Sequence, residues 1–413
     1  MAKDNSHFFD AKNNWSEIKD NLLACYILPY FQKLLASNRS VHYIDCFSGK
    51  GKFDDGKAGS PVIALDARNI ALKSRKKQLG NSIYTYFIDK KYANDLKSNL
   101  SSYLRDGCID IISGTFESNI GRILNGLSSQ NVFLYIDPYG IKALDSQLLF
   151  NFSKYNFSSF EMLINFNSFG FFRDACRSMN VELFTSDTAF NLKDIVEYDP
   201  TKITPSKESD SLLTNIVGSS FWKNIVIAYK NKELNGYQAE ELISKGYKSN
   251  LRNHYKYVLD MPISLKSNGH AKYRMIHVCN HPDGCYLMAQ NMQNRDKELA
   301  IHVQQQDSSC QLELFESLRT TRVDTPTIMI EDLSHLIEDQ LSRMGKKIHY
   351  KDFIVNFSND KDVYPFDSIQ KVLQNLEKSG AIKLVRIPEY TENGKLSKFW
   401  EEDAKHTLFI CKI

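Results

Sequence analysis

The chain has 413 residues, 42% hydrophobic and 24% charged, which is an ordinary globular balance with enough apolar content for more than one core. A formal net charge of +3 permits an anionic partner without requiring one. No run reaches the roughly 20 apolar residues of a membrane span, and the polar start MAKDNSHFFDAKNNW lacks the apolar core of a signal peptide. Eight cysteines without a CxxC pair argue against a secreted disulfide framework, so the expectation is a reduced, soluble, cytoplasmic protein.

The first predicted element is an amphipathic helix over NNWSEIKDNLLACYILPYFQKLL. Ile18, Leu22, Leu23, Tyr26 and Ile27 share one face, and Pro29 marks a kink or an end. A regular alternation follows. Val41 to Phe47 is a strand and SPVIALDARNIALKSRKK a helix with Pro61 near its start. SIYTYFID is a strand and KKYANDLKSNLSSYL a helix; CIDIISG is a strand and TFESNIGRILNGL a helix. NVFLYIDPYG is a fourth strand, LDSQLLFNFSKY a helix, and EMLINFNSFG a fifth strand. Such alternation implies a parallel sheet covered on both faces.

From Phe171 to about Asn253 the pattern is helical and irregular, with YDPTKITPSKESD read as an exposed loop. HYKYVLDMPIS and AKYRMIHVCN then read as two strands around the short polar turn LKSNGH, and strands so closely joined are antiparallel. PDGCYLMAQNMQNR is a helix. Beyond about Pro326, three helical stretches and two strands around TENGKLSKFW give the expectation of a winged helix-turn-helix. The expected organisation is therefore an N-terminal helical segment (1–40), a Rossmann-like α/β core (41–170), a helical insert (171–253) acting as a lid or substrate wall, the hairpin and helix completing the core (254–300), and a winged helix (326–413).

Candidate chemistry gathers where strands end. Asp45-x-Phe47-x-Gly49-x-Gly51 follows the first strand, and glycines there let a backbone approach a ligand closely. The loop to the next helix at about Pro61 is too long for the dinucleotide pattern, in which G-x-G-x-x-G opens the helix directly. A plain tight turn is the competing reading. Asp89 ends the second strand, where an acid accepts hydrogen bonds from ribose hydroxyls or caps a helix. Phe116, after the third strand, suits either adenine stacking or the core.

FLYIDPYG carries the most information, because it lies beside the switch point where α/β sheets bind ligands. An exocyclic amine conjugated to a base is a poor nucleophile. Asp137 and the following backbone carbonyl would accept its two N–H bonds, Pro138 would shape the turn, and Tyr139 would stack on the base. Gly140 stands where many amino-group methyltransferases have further ring residues, and a strand-ending Asp-Pro turn is the plain alternative. Asn165 and Asn167, two apart at the end of the fifth strand, either line a pocket or cap a loop.

Two further clusters have plainer readings. His277, Cys279, His281 and Cys285 supply one knuckle where zinc usually takes two, so no metal is expected. Arg68, Lys73, Arg75, Lys76 and Lys77 read as a solvated helix face or as phosphate contacts.

Five parallel strands ending in an antiparallel pair is the strand plan of class I S-adenosyl-L-methionine (SAM) methyltransferases. With its motifs in order, the chain resembles the three-Cys-motif partner (TcmP) family, predicted bacterial and phage SAM-dependent methyltransferases. The resemblance runs from Trp15 and Lys19 through YIDCFSGKG, GSPVIAL and FLYIDPYG to HVCNHPDGCYLMAQNM and the C-terminal tail. DPYG is also similar to the corresponding element of tRNA guanine-N2 dimethyltransferases, and the two-glycine loop with DP to that of adenine-N6 ribosomal RNA methyltransferases. The resemblance implies that Asp45, Gly49 and Gly51 hold the methionine part of SAM and Asp89 its ribose; Phe47 in the glycine loop and Phe116 after the third strand are further cofactor-binding candidates. It further implies that Asp137, Pro138 and Tyr139 meet the acceptor amine of a nucleic-acid base, and that a radical-SAM protein bearing three cysteines is a partner. A catalytically silent binding module, in a phage-defence setting, is the alternative.

Overall fold

The computed structural model describes residues 12, 14–37, 39–74, 82–104, 107–184, 203–264, 271–312, 330–361, 363–400, 402 and 405–413. The chain forms two compact units, residues 1–281 and 282–413, and each is described by itself.

The first unit is an α/β, Rossmann-like fold. Strands β1 (Val41–Asp45), β2 (Ile83–Asp89), β3 (Ile109–Ser113), β4 (Asn131–Ile136) and β5 (Ser159–Phe166) are parallel; β6 (Tyr257–Ile263) and β7 (Tyr273–Cys279) add an antiparallel pair. The order across the sheet is β3-β2-β1-β4-β5-β7-β6. The strand order reverses between the parallel neighbours β1 and β4, both buried along their whole length. Both read as unbroken apolar runs because helices cover both of their faces.

Helix α1 (Asn14–Leu35) continues past Pro29, so the proline, expected to kink or end the helix, does not end it. Its inner face is Leu22, Leu23, Tyr26, Ile27, Tyr30 and Phe31, all nearly or fully buried. Rings of this face meet the sheet: Tyr30 lies 5.2 Å from Phe133, and Phe31 meets Tyr43 edge-on. Below them, the Tyr26 hydroxyl donates to Glu161, and His277 Nε2 lies 2.9 Å from the same carboxylate oxygen. Charge beside Tyr26 therefore adds to burial in raising the pKa of its phenol.

The crossovers are α2 (Ser60–Lys73), α3 (Ala93–Asn99), α4 (Phe116–Asn125) and α5 (Ser146–Asn151). Arg68 in α2 is buried, with Nε donating to the Ile83 carbonyl at 2.8 Å, so it is a strut rather than part of a solvated basic face. Arg75, Lys76 and Lys77 lie outside the described residues.

Helices α6 (Ser168–Ser178), α7 (Lys207–Val217), α8 (Trp222–Lys230) and α9 (Gly236–Arg252) form the stretch expected to be a helical insert. Trp222 and Tyr229 are fully buried between them, edge-on to Phe171 and Phe172. The first five residues of the expected loop YDPTKITPSKESD fall outside the described residues, and its last four open α7, with Ser206 as N-cap. Helix α9 is tied to the hairpin by a buried ionic network. Lys248 and Arg274 both reach Asp260, and Arg274 makes a bidentate pair with Glu240 at 2.7 and 2.9 Å. The Lys248 and Arg274 cations outweigh burial and hold the Asp260 carboxyl well below its usual range.

The second unit holds α10 (Pro282–Leu312), α11 (Ile330–Arg343), β8 (Lys347–His349), α12 (Tyr350–Asp360), α13 (Phe366–Lys378), β9 (Ile382–Ile387) and β10 (Thr407–Lys412). Its sheet is antiparallel, in the order β8-β10-β9. The sequence places α10 with the α/β core, whereas its contacts group it here. Among the described residues no helix is long and apolar enough to cross a membrane.

Replacing Asp260 with Ala would remove the buried carboxylate that Lys248 and Arg274 share. Broken buried pairs cost about 3–5 kcal/mol, so a clear fall in the urea midpoint of Asp260→Ala is expected, with a smaller one for Asp260→Asn.

Candidate active site

A cavity of about 510 Å³ opens at the carboxyl edge of the sheet, within the size range of small-molecule sites. It is bounded by the loops after β1, β2, β3, β4 and β5, the first turns of α1 and the start of β7.

The β1 loop begins as an extension of the sheet, with Cys46 N bonded to Tyr135 O and Ser48 N to Ile88 O. It then turns through Gly49 (φ 57°) and Gly51 (φ 77°), both left-handed. A Cβ on Gly51 would lie 2.7 Å from Leu96 Cδ1, so only bare backbone fits between loop and α3. The loop closes through the Gly59 N to Gly51 O bond at 3.0 Å and a bridge between Lys52 and Ala58.

Asp45 does not line the cavity. Its carboxyl is fully buried beneath the loop, accepting from Ser60 Oγ at 2.6 Å and Phe47 N at 3.2 Å. Burial, together with the nearby Asp137 and Asp20 charges, pushes it up to about 7 despite those two bonds. Asp89 lines the cavity and clamps two loops, accepting from Gly49 N (2.9 Å), Lys91 N (2.7 Å) and Tyr92 N (2.6 Å). Only Oδ2, with one of these bonds, keeps a lone pair for a ligand hydroxyl. Phe116 is 2% exposed and its ring lies 5.6 Å from Phe47; the two give the cavity an apolar wall.

At the end of β4, Asp137, Pro138, Tyr139 and Gly140 (φ 81°) all line the cavity, and Tyr139 is 46% exposed. Asp137 Oδ1 accepts from Lys19 Nζ at 2.9 Å and Asn165 Nδ2 at 2.6 Å; Oδ2 accepts from Lys19 Nζ at 2.8 Å and Tyr135 Oη at 3.3 Å. The buried Asn165 Oδ1 has no hydrogen-bond partner among the described residues. Asn167 also borders the cavity, but its Oδ1 caps α6 through Gly170 N at 2.8 Å.

Sequence reasoning missed Ser16 and Asp20 on α1, Tyr273 at the start of β7 and Lys272 just before it, all of which line the cavity; Lys19 entered only through the resemblance. Because β7 runs antiparallel to β5, its start falls at the same edge as the end of β5, so Tyr273 was legible in principle. Asp20 pairs with Lys12 at 2.5 Å; burial nevertheless pushes its carboxyl up to about 6. None of the described residues of 171–253, expected to form a lid or substrate wall, lines this cavity. Among the described residues no three His, Cys, Asp or Glu side chains are placed to hold a metal.

No protein-family model matches the chain, and a search of curated proteins finds no significant match.

The pKa of Asp45 gives a pH prediction. Its folded value, about 7, exceeds the usual carboxylate value, so folding takes up a proton between about pH 4 and pH 7. Wild-type stability contributed by this site falls as pH rises through that window. The Asp45→Asn protein lacks this loss, so its denaturation midpoint should gain on wild type from pH 5 to pH 8. His42, whose burial lowers it to about 4 and gives the opposite slope, is present in both proteins and cancels.

Proposed function

We propose that the chain is a SAM-dependent N-methyltransferase acting on an exocyclic amine of a nucleic-acid base, guanine N2 or adenine N6. One observation carries this reading: the glycine loop, Asp89, Phe116 and the Asp137-Pro138-Tyr139 turn, far apart in sequence, border a single cavity beside the β1/β4 reversal. The strand order agrees with the class I methyltransferase plan, and the motif order supports membership of the TcmP family.

The residues fit the donor. Gly49 and Gly51 turn the loop backbone along the cavity, the free lone pair of Asp89 Oδ2 suits a ribose hydroxyl, and Phe47 and Phe116 suit an adenine face. When bound, SAM supplies a methyl carbon whose bond pair returns to sulfur as the new N–C bond forms. The protein's task is positioning. Asp137 and the Pro138 carbonyl accept the amine's N–H bonds, and the half-exposed Tyr139 ring stacks on the base. The proton shed by the methylated nitrogen passes to water.

The second unit supports a polymer substrate. Its helix–strand–helix–helix–hairpin order suits a winged helix, which would grip nucleic-acid backbone or a partner such as a radical-SAM protein with three cysteines. A second reading, a catalytically silent module, draws on the full set of bonds already made by Asp137 and the three backbone bonds on Asp89.

Titration calorimetry with SAM, then transfer of labelled methyl to total RNA, DNA and protein, tests both. The expected outcome is SAM binding with label in RNA or DNA, reduced at least ~10²-fold in Asp137→Ala. Tight SAM binding with no label in any fraction selects the module. Label in protein alone overturns the substrate class.

A further inference from the structure

Asp137 is the residue the proposed reaction turns on, yet it is not a bare anion. Lys19 Nζ bonds both of its oxygens, at 2.9 and 2.8 Å, from a side chain only 10% exposed. The same ammonium lies 5.3 Å from the centre of the Tyr273 ring. Of the other carboxylates bordering this edge, Asp20 pairs with Lys12 and Asp89 accepts from three backbone amides, while the ammonium of Lys272, which also lines the cavity, lies 5.4 Å from the Tyr273 ring. Asn165 approaches Asp137 as an uncharged donor and keeps a buried carbonyl oxygen without a partner among the described residues.

We propose that Lys19 is a positioning and specificity residue, which makes the acceptor subsite electrically neutral and so selects an uncharged conjugated amine over an alkylammonium. This rests on the methyltransferase reading and deepens it. Two fixed N–H bonds hold the plane of the Asp137 carboxylate, and an arriving amine displaces one of them while Lys19 keeps the other. An N–H donor without charge needs only an acceptor, and Asp137 Oδ and Asn165 Oδ1 are acceptors at hand. An ammonium needs a net negative site to repay its lost hydration, and the Lys19–Asp137 pair offers none. Without Lys19, the Asp137 carboxylate would carry its charge into the cavity without that ammonium and form a cation site.

The test uses the full chain and n-butylammonium as probe, with binding followed calorimetrically on ligand-free wild type, Lys19→Met, Lys19→Arg and the Lys19→Met/Asp137→Asn double variant. Lys19→Met should bind the cation at least about tenfold more tightly than wild type. Lys19→Arg should behave as wild type, and the double variant should lose the gain. In the methyl-transfer assay, Lys19→Met should keep SAM affinity within about threefold while kcat falls roughly 10²-fold, with partial recovery in Lys19→Arg. Circular dichroism separates these effects from misfolding. Equal cation binding by wild type and a folded Lys19→Met overturns the proposal, as does an unchanged kcat. Absence of methyl transfer by wild type would sink the functional reading instead, and the cation arm would still decide the neutrality of the subsite.

Discussion

A carboxylate at the mouth of a parallel sheet needs a counter-charge, and in this fold the counter-charge comes from outside the sheet. Lys19 belongs to α1, which precedes the first strand, and Asp137 ends the fourth. The pair therefore closes the cavity wall and fastens the first turns of α1 to the sheet edge. Seven residues on, two helical turns along the same face, Tyr26 makes the second polar fastening, to Glu161 and His277. Between the two lies apolar packing against Phe133 and Tyr43. Strand periodicity explains the coincidence. Glu161 and Asn165 are four apart on β5, Tyr273 and His277 four apart on β7, and Phe133, Tyr135 and Asp137 two apart along β4, so each set shares one face. Helix α1 lies along that face and meets a polar group at each end of it.

The acids at the strand ends divide their work. Asp45 and Asp89 accept from loop backbone amides, which fixes the shape of a long, glycine-turned loop. Asp89 carries the join: its bond from Gly49 and its two bonds from the β2 loop lock neighbouring turns against each other. Burial pushes up the carboxyls of Asp20 and Asp45, and the Asp137 charge adds to both. Lys12 and Lys19 offset this crowding, paired with Asp20 and Asp137 respectively.

Much of this was legible in the sequence. Apolar runs ending in FID and YIDPYG gave the strands and their carboxyl ends, because a fully covered strand must be apolar along its length and its polar groups collect where it leaves the sheet. Alternation with helices then implied that those ends share an edge. What was not legible was side-chain direction. D-x-F-x-G-x-G does not reveal that Asp45 turns beneath its own loop, and helical periodicity in α1 does not say that the polar face at Lys19 will cross the sheet edge. Arg68 misled for a related reason: a run of basic residues reads as solvated, but the guanidinium found a strand carbonyl inside.

The insert and the hairpin raise one more physical point. Asp260 and Arg274 face each other across neighbouring strands, as their register pairs Asp260 with Ile276 and Pro262 with Arg274. Lys248 and Glu240 come from α9, two turns apart. Four buried charges in alternating sign cost much hydration, and an apolar cluster of the same size would hold the helix as firmly. What the charges add is direction, since a bidentate arginine fixes both the register and the rotation of α9 on the hairpin. Strand β7 is the one that brings Tyr273 and Lys272 to the cavity, so an ionic network remote from the chemistry fixes where one wall of it stands.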